Sequence, residues 1–129
     1  MPEAEGVAHD RLPDDAVVVR GGLMLAADLE LSAQSNFDDE GVYAISVFSV
    51  SGMAADEIAR RVPLRHSKIR ESTVGRLRSA GYEVVGSPGP PGHADLILSV
   101  PPTDNDWQAL DRLFDPPRLN PATIRLDDV

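Results

Sequence analysis

At 129 residues the chain has the length of one ordinary domain, enough to bury a core without staples. A hydrophobic content of 42% with 26% charged residues specifies a globular body, and the absence of cysteine excludes disulfides, thiolate catalysis, iron–sulfur clusters and Cys-based zinc sites. A net charge of −9 and a pI near 4.6 argue against a general nucleic-acid coat.

Residues 1–13 read as a polar, acidic leader without the apolar core of a signal peptide, and no run reaches membrane-spanning length, so the expected compartment is the cytoplasm. Ala16 to Arg20 is a short β-branched strand ended by Gly21-Gly22. Leu25, Leu29 and Ala33 recur at helical spacing and predict a helix from Leu23 to Ala33, followed by a loop from Asn36 to Gly41. Val42 to Val50 is apolar on both faces and reads as a central strand. After the Ser51-Gly52 turn, Ala54, Ile58 and Val62 predict a helix from Met53 to Val62, stopped by Pro63. A second helix is expected from Ser67, with Ile69, Thr73, Leu77 and Ala80 on a four-residue step, Gly75 inside it and Gly81 at its end. Tyr82 to Val85 and Ala94 to Val100 form a strand hairpin around the Gly/Pro loop 86–92. Thr103 caps a last helix from Asp104 to Phe114, with Trp107, Leu110, Leu113 and Phe114 facing inward. Residues 116–129 read as an extended tail with Ile124 and Leu126 as docking residues. The predicted order β-α-β-α-α-β-β-α gives a mixed α/β, α+β class of about four strands and four helices, in a single domain over 14–115.

Charge is distributed unevenly. Arg60 to Arg78 holds seven of the twelve Lys and Arg residues against one acid, Glu71, so this block carries +6 and the remainder −15. Such asymmetry points to an anion site, an acidic partner or an internal charge match. Arg60 and Arg61 end a predicted helix, where cations suit the negative dipole end. Arg65, His66, Lys68 and Arg70 open the next predicted helix, where cations oppose the dipole but free N–H groups favour an anion. These four are therefore the candidate anion- or partner-binding residues. The competing expectation is a solvated helix face paired with the protein's own acids.

The segment 53–100 orders Ala55 to Val62, a turn, a helix opened by Arg65-His66-Ser67-Lys68, and a hairpin; in this it resembles winged-helix DNA-binding domains, which implies a nucleic-acid partner. Over 16–52, Arg20-Gly21 at a strand end and Ser49-Val50-Ser51 after a core strand resemble the Arg-Gly and Ser-x-Ser elements of ADP-ribosyltransferase-like folds. That resemblance implies a nucleotide pocket with Arg20 on a phosphate or ribose and Ser49 or Ser51 bracing it, and the candidate pocket residues are Arg20, Ser49, Ser51 and His93. No Glu-x-Glu matches the family's catalytic glutamate. His66 and His93 with Lys68 and Arg70 would also suit a metal-independent ribonuclease site, with one histidine as general base and cations on the phosphate.

No HExxH, GxGxxG, P-loop or nucleophile elbow is present, and the acid pairs lack EF-hand spacing, so neither a cofactor nor a metal is expected. Eleven arginines against one lysine, with abundant Ala, Gly, Pro and Val, match the composition of a GC-rich bacterial genome. The expectation is a small bacterial binding or interaction protein with a basic anion-binding face, of the kind found in toxin–antitoxin or immunity pairs. The alternatives are a winged-helix regulator and a small toxin-like enzyme.

Overall fold

The computed structural model describes residues 11–62, 64–87, 92–98 and 101–122. The expected leader up to residue 10, most of the Gly/Pro loop, and Ile124 and Leu126 of the expected tail lie outside the described residues. The element order is β1 (Val17–Gly21), α1 (Ala26–Glu40), β2 (Ala44–Phe48), α2 (Ala55–Arg61), β3 (Lys68–Thr73), α3 (Val74–Ser79), β4 (Glu83–Gly86), β5 (His93–Ile97), α4 (Asp104–Leu113) and β6 (Arg118–Leu119). The six strands form one antiparallel sheet in the order β4-β5-β2-β1-β3-β6. The α+β class is as expected, with six strands in place of about four.

The main correction is residues 67–80, expected as one helix. Lys68 to Thr73 is instead strand β3, paired along its length with β1 from Val17↔Thr73 to Gly21↔Ile69. Ile69, Thr73 and Leu77 do fit a four-residue step, but Lys68 to Thr73 also alternates. Ile69 is buried on one face, while Arg70 and Ser72 are buried on the other. The strand pattern wins because Arg70 finds internal partners and can point inward. Only Val74 to Ser79 is helical; the Thr73 hydroxyl accepts from the Arg76 N–H, as a side-chain N-cap does. Among the described residues of 53–100 no helix-turn-helix forms, because the place of a recognition helix is taken by strand β3.

Smaller differences have local causes. Helix α1 continues to Glu40 through the expected loop and stops at Gly41, whose φ of 77° is left-handed. Its start shifts to Ala26 because Gly22 and Met24 adopt positive φ values of 92° and 61°, which breaks the helical path through Leu23. The expected tail contributes β6, which covers the β3 edge at Lys68 and Ile69.

The sheet separates two cores. On one face, Val18, Ile45, Val47, Val84 and Leu96 pack with Leu29 and Ala33 of α1, Leu77 of α3 and Trp107 and Leu110 of α4. On the other, Val19 and Ile69 pack with Ile58, Ala59 and Val62 of and after α2, flanked by Phe48 and Leu64.

The seam between β1 and β2 positions the candidate site. These strands meet at Val19↔Phe48, and β1 ends at Gly21, so the first half of β2 lacks a strand partner on that side. Side chains replace it. Arg20 Nη1 donates to the Ser46 carbonyl at 2.7 Å, the Ser46 N–H donates to Ser32 Oγ at 3.2 Å, and Asn36 Nδ2 donates to the Ala44 carbonyl at 2.6 Å. Helix α1 thus seals a sheet edge that would otherwise carry unpaired backbone groups.

Among the described residues, no helix is long and apolar enough to cross a membrane.

Candidate functional site

Much of the +6 block is consumed by the fold. Arg61 pairs with Glu57, Arg76 with Asp115, and Arg78 with both Asp14 and Glu83 at 2.7 and 2.6 Å. Burial alone would raise Glu83, but Arg78, the Val84 N–H and Arg11 outweigh it and hold the carboxyl below its ordinary value. Arg70 is the most fully used. Its Nε donates to the Asp115 carbonyl, Nη1 to the Leu23 carbonyl and the Asp111 carboxylate, and Nη2 to the carbonyls of Asp111 and Phe114. That makes five bonds for the five N–H donors of a guanidinium, most of them at the negative C-terminal end of α4. Arg70 is 5% exposed and has no donor left for an anion.

Arg60, Arg65 and Lys68 have no acid partner among the described residues and are exposed. Arg65, His66 and Lys68 sit on the exposed connection from α2 into β3, at the end of the sheet. Of the four candidates in this block, then, three share one surface and Arg70 lies inside.

The expected nucleotide pocket is not assembled. Ser49 is buried and its hydroxyl donates to the Val17 carbonyl at 2.7 Å, which ties β2 to β1. Ser51 lies exposed in the turn before α2. His93 contacts the Ser87 hydroxyl through Nδ1 and stands edge-on to Phe48. Arg20 alternates with Val19 along β1 and shares the face of Val18, whereas His93 alternates with Ala94 and shares the face of Phe48. Arg20 and His93 therefore project from opposite sides of the sheet, and neither histidine pair nor Ser–His arrangement closes around Arg20.

Arg20 instead lines a cleft together with His66. A cleft of about 410 Å³ at the end of β1 is lined by Arg20, Gly21, Gly22, Met24, Asp28, Leu31 and His66. The His66 ring lies over Gly21: a Cβ there would run into the ring and come within 3.1 Å of a Leu64 methyl. Glycine at 21 thus allows a close approach of the His66 ring and is not set by backbone conformation. Arg20 and Arg70 are directly opposite in the β1–β3 ladder, a like-charge pair that is tolerated because the two guanidinium groups run to different acceptors.

The Arg20 guanidinium is unlike that of Arg70 or Arg78. Burial lowers its pKa from the ordinary arginine value, with Asp28 acting in the opposite direction, and among the described residues no carboxylate comes within ion-pair distance. Its Nε is buried and has no hydrogen-bond partner. A buried donor without a partner costs about 1–3 kcal/mol, more when it belongs to a charged group. Sequence reasoning identified Arg20 and His66 separately but missed that they line one cleft with Asp28. The available signal was the Gly21-Gly22 pair, which allows another chain segment to lie against the strand end.

A second titratable group was also missed. Asp95 on β5 is 6% exposed, and its Oδ1 has no partner. Burial first, and then the Glu40 carboxyl beside it, raise its pKa, while His93 pulls it down. No cluster of three or more potential metal ligands occurs among the described residues. No family model, curated protein or solved structure matches the chain significantly.

Proposed function

We propose that the chain is a bacterial binding protein of the cytoplasm that recognises an acidic protein partner through the exposed Arg65–His66–Lys68 connection. The observation that carries this reading is the division of the basic block: Arg61, Arg70, Arg76 and Arg78 are neutralised internally, whereas Arg60, Arg65 and Lys68 are exposed with no acid partner among the described residues. Unpaired cations on an otherwise strongly negative molecule focus a positive potential at one corner, which steers and orients an acidic surface. One component of a toxin–antitoxin or immunity pair would use a surface of this kind.

The test is a titration of the ¹⁵N-labelled protein with a hexa-aspartate peptide, run beside a DNA duplex and at two salt concentrations. The expected result is movement of the amides at 65–69 by the peptide, weaker at higher salt, and lost in the Arg65→Ala/Lys68→Ala variant. Silence of those amides at low salt overturns the reading. Preferential binding of the duplex overturns the choice of a protein partner.

A further inference from the structure

The geometry points to the cleft beneath Arg20 as a binding site for a small carboxylate, held side-on by the Nε edge of Arg20 and oriented by His66 and Asp28. It adjoins the basic connection through His66 but does not rest on the partner reading.

Three independent observations converge. The first is the guanidinium itself. Its Nη1 is fixed to the Ser46 carbonyl, so the group is rigidly placed, while Nε is buried and has no partner. The edge of an arginine that carries Nε is one of the two that hold a carboxylate through parallel hydrogen bonds. The second is charge. Arg78 and Arg70, the other largely buried arginines, each have a carboxylate at 2.6–2.8 Å; among the described residues Arg20 has none. A carboxylate ligand would supply the missing counter-charge in a desolvated setting, where such pairing is strongest. The third is shape. Gly21 and Gly22 leave the strand end without side chains, and the cleft of about 410 Å³ there is also lined by His66, Met24, Asp28 and Leu31.

The lining selects among oxyanions. Asp28 is exposed at the rim and acts on Arg20 only at longer range. A single negative charge is accepted beside it, whereas a phosphate dianion meets repulsion. Asp28 also offers an acceptor to a ligand donor, and Met24 and Leu31 offer apolar contact. A short hydroxy or amino acid combines these features: its carboxylate faces Arg20, its hydroxyl or ammonium faces Asp28, and its carbon chain lies on the apolar lining.

The experiment observes the Arg20 Nε–H directly by ¹H–¹⁵N correlation in the full chain. Sodium acetate, sodium lactate and inorganic phosphate are titrated at constant ionic strength against sodium chloride, and the resonance is assigned by its disappearance in Arg20→Lys. Expected is a saturable shift of Nε–H and of the Gly21 and Gly22 amides with acetate, tighter with lactate, and little response to phosphate. Asp28→Asn should weaken lactate relative to acetate on the order of tenfold. The Arg65→Ala/Lys68→Ala variant should keep the full acetate response, so that failure of the acidic-partner reading leaves this one standing. An Nε–H that stays unmoved by every carboxylate overturns the site, and a phosphate response equal to or above that of acetate overturns the ligand class.

Discussion

Arg70 and Lys68 lie two residues apart on one strand, and sequence reasoning treats them alike. Their environments differ completely: Arg70 is 5% exposed with five acceptors, and Lys68 is exposed with no acid partner among the described residues. Arg70→Ala leaves buried carbonyls at the α4 end unsatisfied and should cost roughly 3 kcal/mol in urea unfolding. Arg70→Lys should recover little, since one ammonium cannot span that fan of acceptors. Lys68→Ala should stay within about 0.5 kcal/mol of the parent. Equal effects of the two alanine variants would sink this assignment of roles. Asp95 gives a pH-dependent case. A raised carboxyl pKa means that its protonated form is favoured by the fold, so the favourable contribution is present below the ordinary value of 3.8 and is lost as pH rises. At pH 7 the ionised group therefore destabilises. Asp95→Asn should raise stability at pH 7, and the gain should shrink toward pH 4; a gain independent of pH would mean that packing rather than charge is responsible. None of this was legible in the sequence, because burial of Arg70 depends on α4 arriving forty residues later, and burial of Asp95 depends on the end of α1.

At the scale of elements, strand and helix identities were readable wherever period and boundary residues agreed. Val42 to Val50 contains β2, Thr103 opens α4 with Asp106 Oδ2 accepting its N–H at 2.7 Å, and the β4–β5 hairpin forms where alternating residues flank the Gly/Pro loop. Residues 67–80 failed because two periods coexist there, and the deciding fact, the acceptors for Arg70, is tertiary. The β1–β2 seam was equally hidden. Nothing local says that Ser32 and Asn36, on a helix, will replace a strand. Their contribution is open to test by hydrogen exchange. Ser32→Ala frees the Ser46 N–H from its acceptor, so exchange at Ser46 should accelerate by about fivefold, corresponding to loss of one hydrogen bond of about 1 kcal/mol, while exchange at Val47 stays near the parent rate. Uniform acceleration through β2 would show instead that the seam holds the whole strand rather than one amide. The candidate site inherits this logic: Arg20 is placed by its bond to Ser46, and its cleft exists because β1 stops at Gly21.

For the molecule as a whole, two electrostatic effects compete. Ion pairs such as Arg78 with Asp14 and Glu83, or Arg118 with Asp56 and Glu71, stabilise the fold while their carboxyls are charged. The lowered pKa of Glu83 has the matching sign: its contribution is present above the ordinary carboxyl value and lost as pH falls through the folded one. Against this stands a net charge of −9, whose self-repulsion disfavours the compact state and vanishes as pH approaches 4.6. Most of the paired carboxylates are partly exposed, and exposed pairs contribute only about 0–1 kcal/mol each. Self-repulsion should therefore win near neutrality, and stability should peak on the acid side of pH 7 while Glu83 is still ionised. Salt discriminates the two terms, since the screening length shrinks to about 10 Å at 0.1 M. Thermal unfolding at pH 7.5 should move upward as sodium chloride is raised from low to moderate concentration, by roughly 4 °C for each kcal/mol of repulsion removed. At pH 5 the same addition should have little effect. A fall in Tm with salt at pH 7.5 would show that the internal pairing of the basic block outweighs the excess of acid, and that the cations at 60, 65 and 68 are tied more closely to the protein's own carboxylates than their geometry indicates.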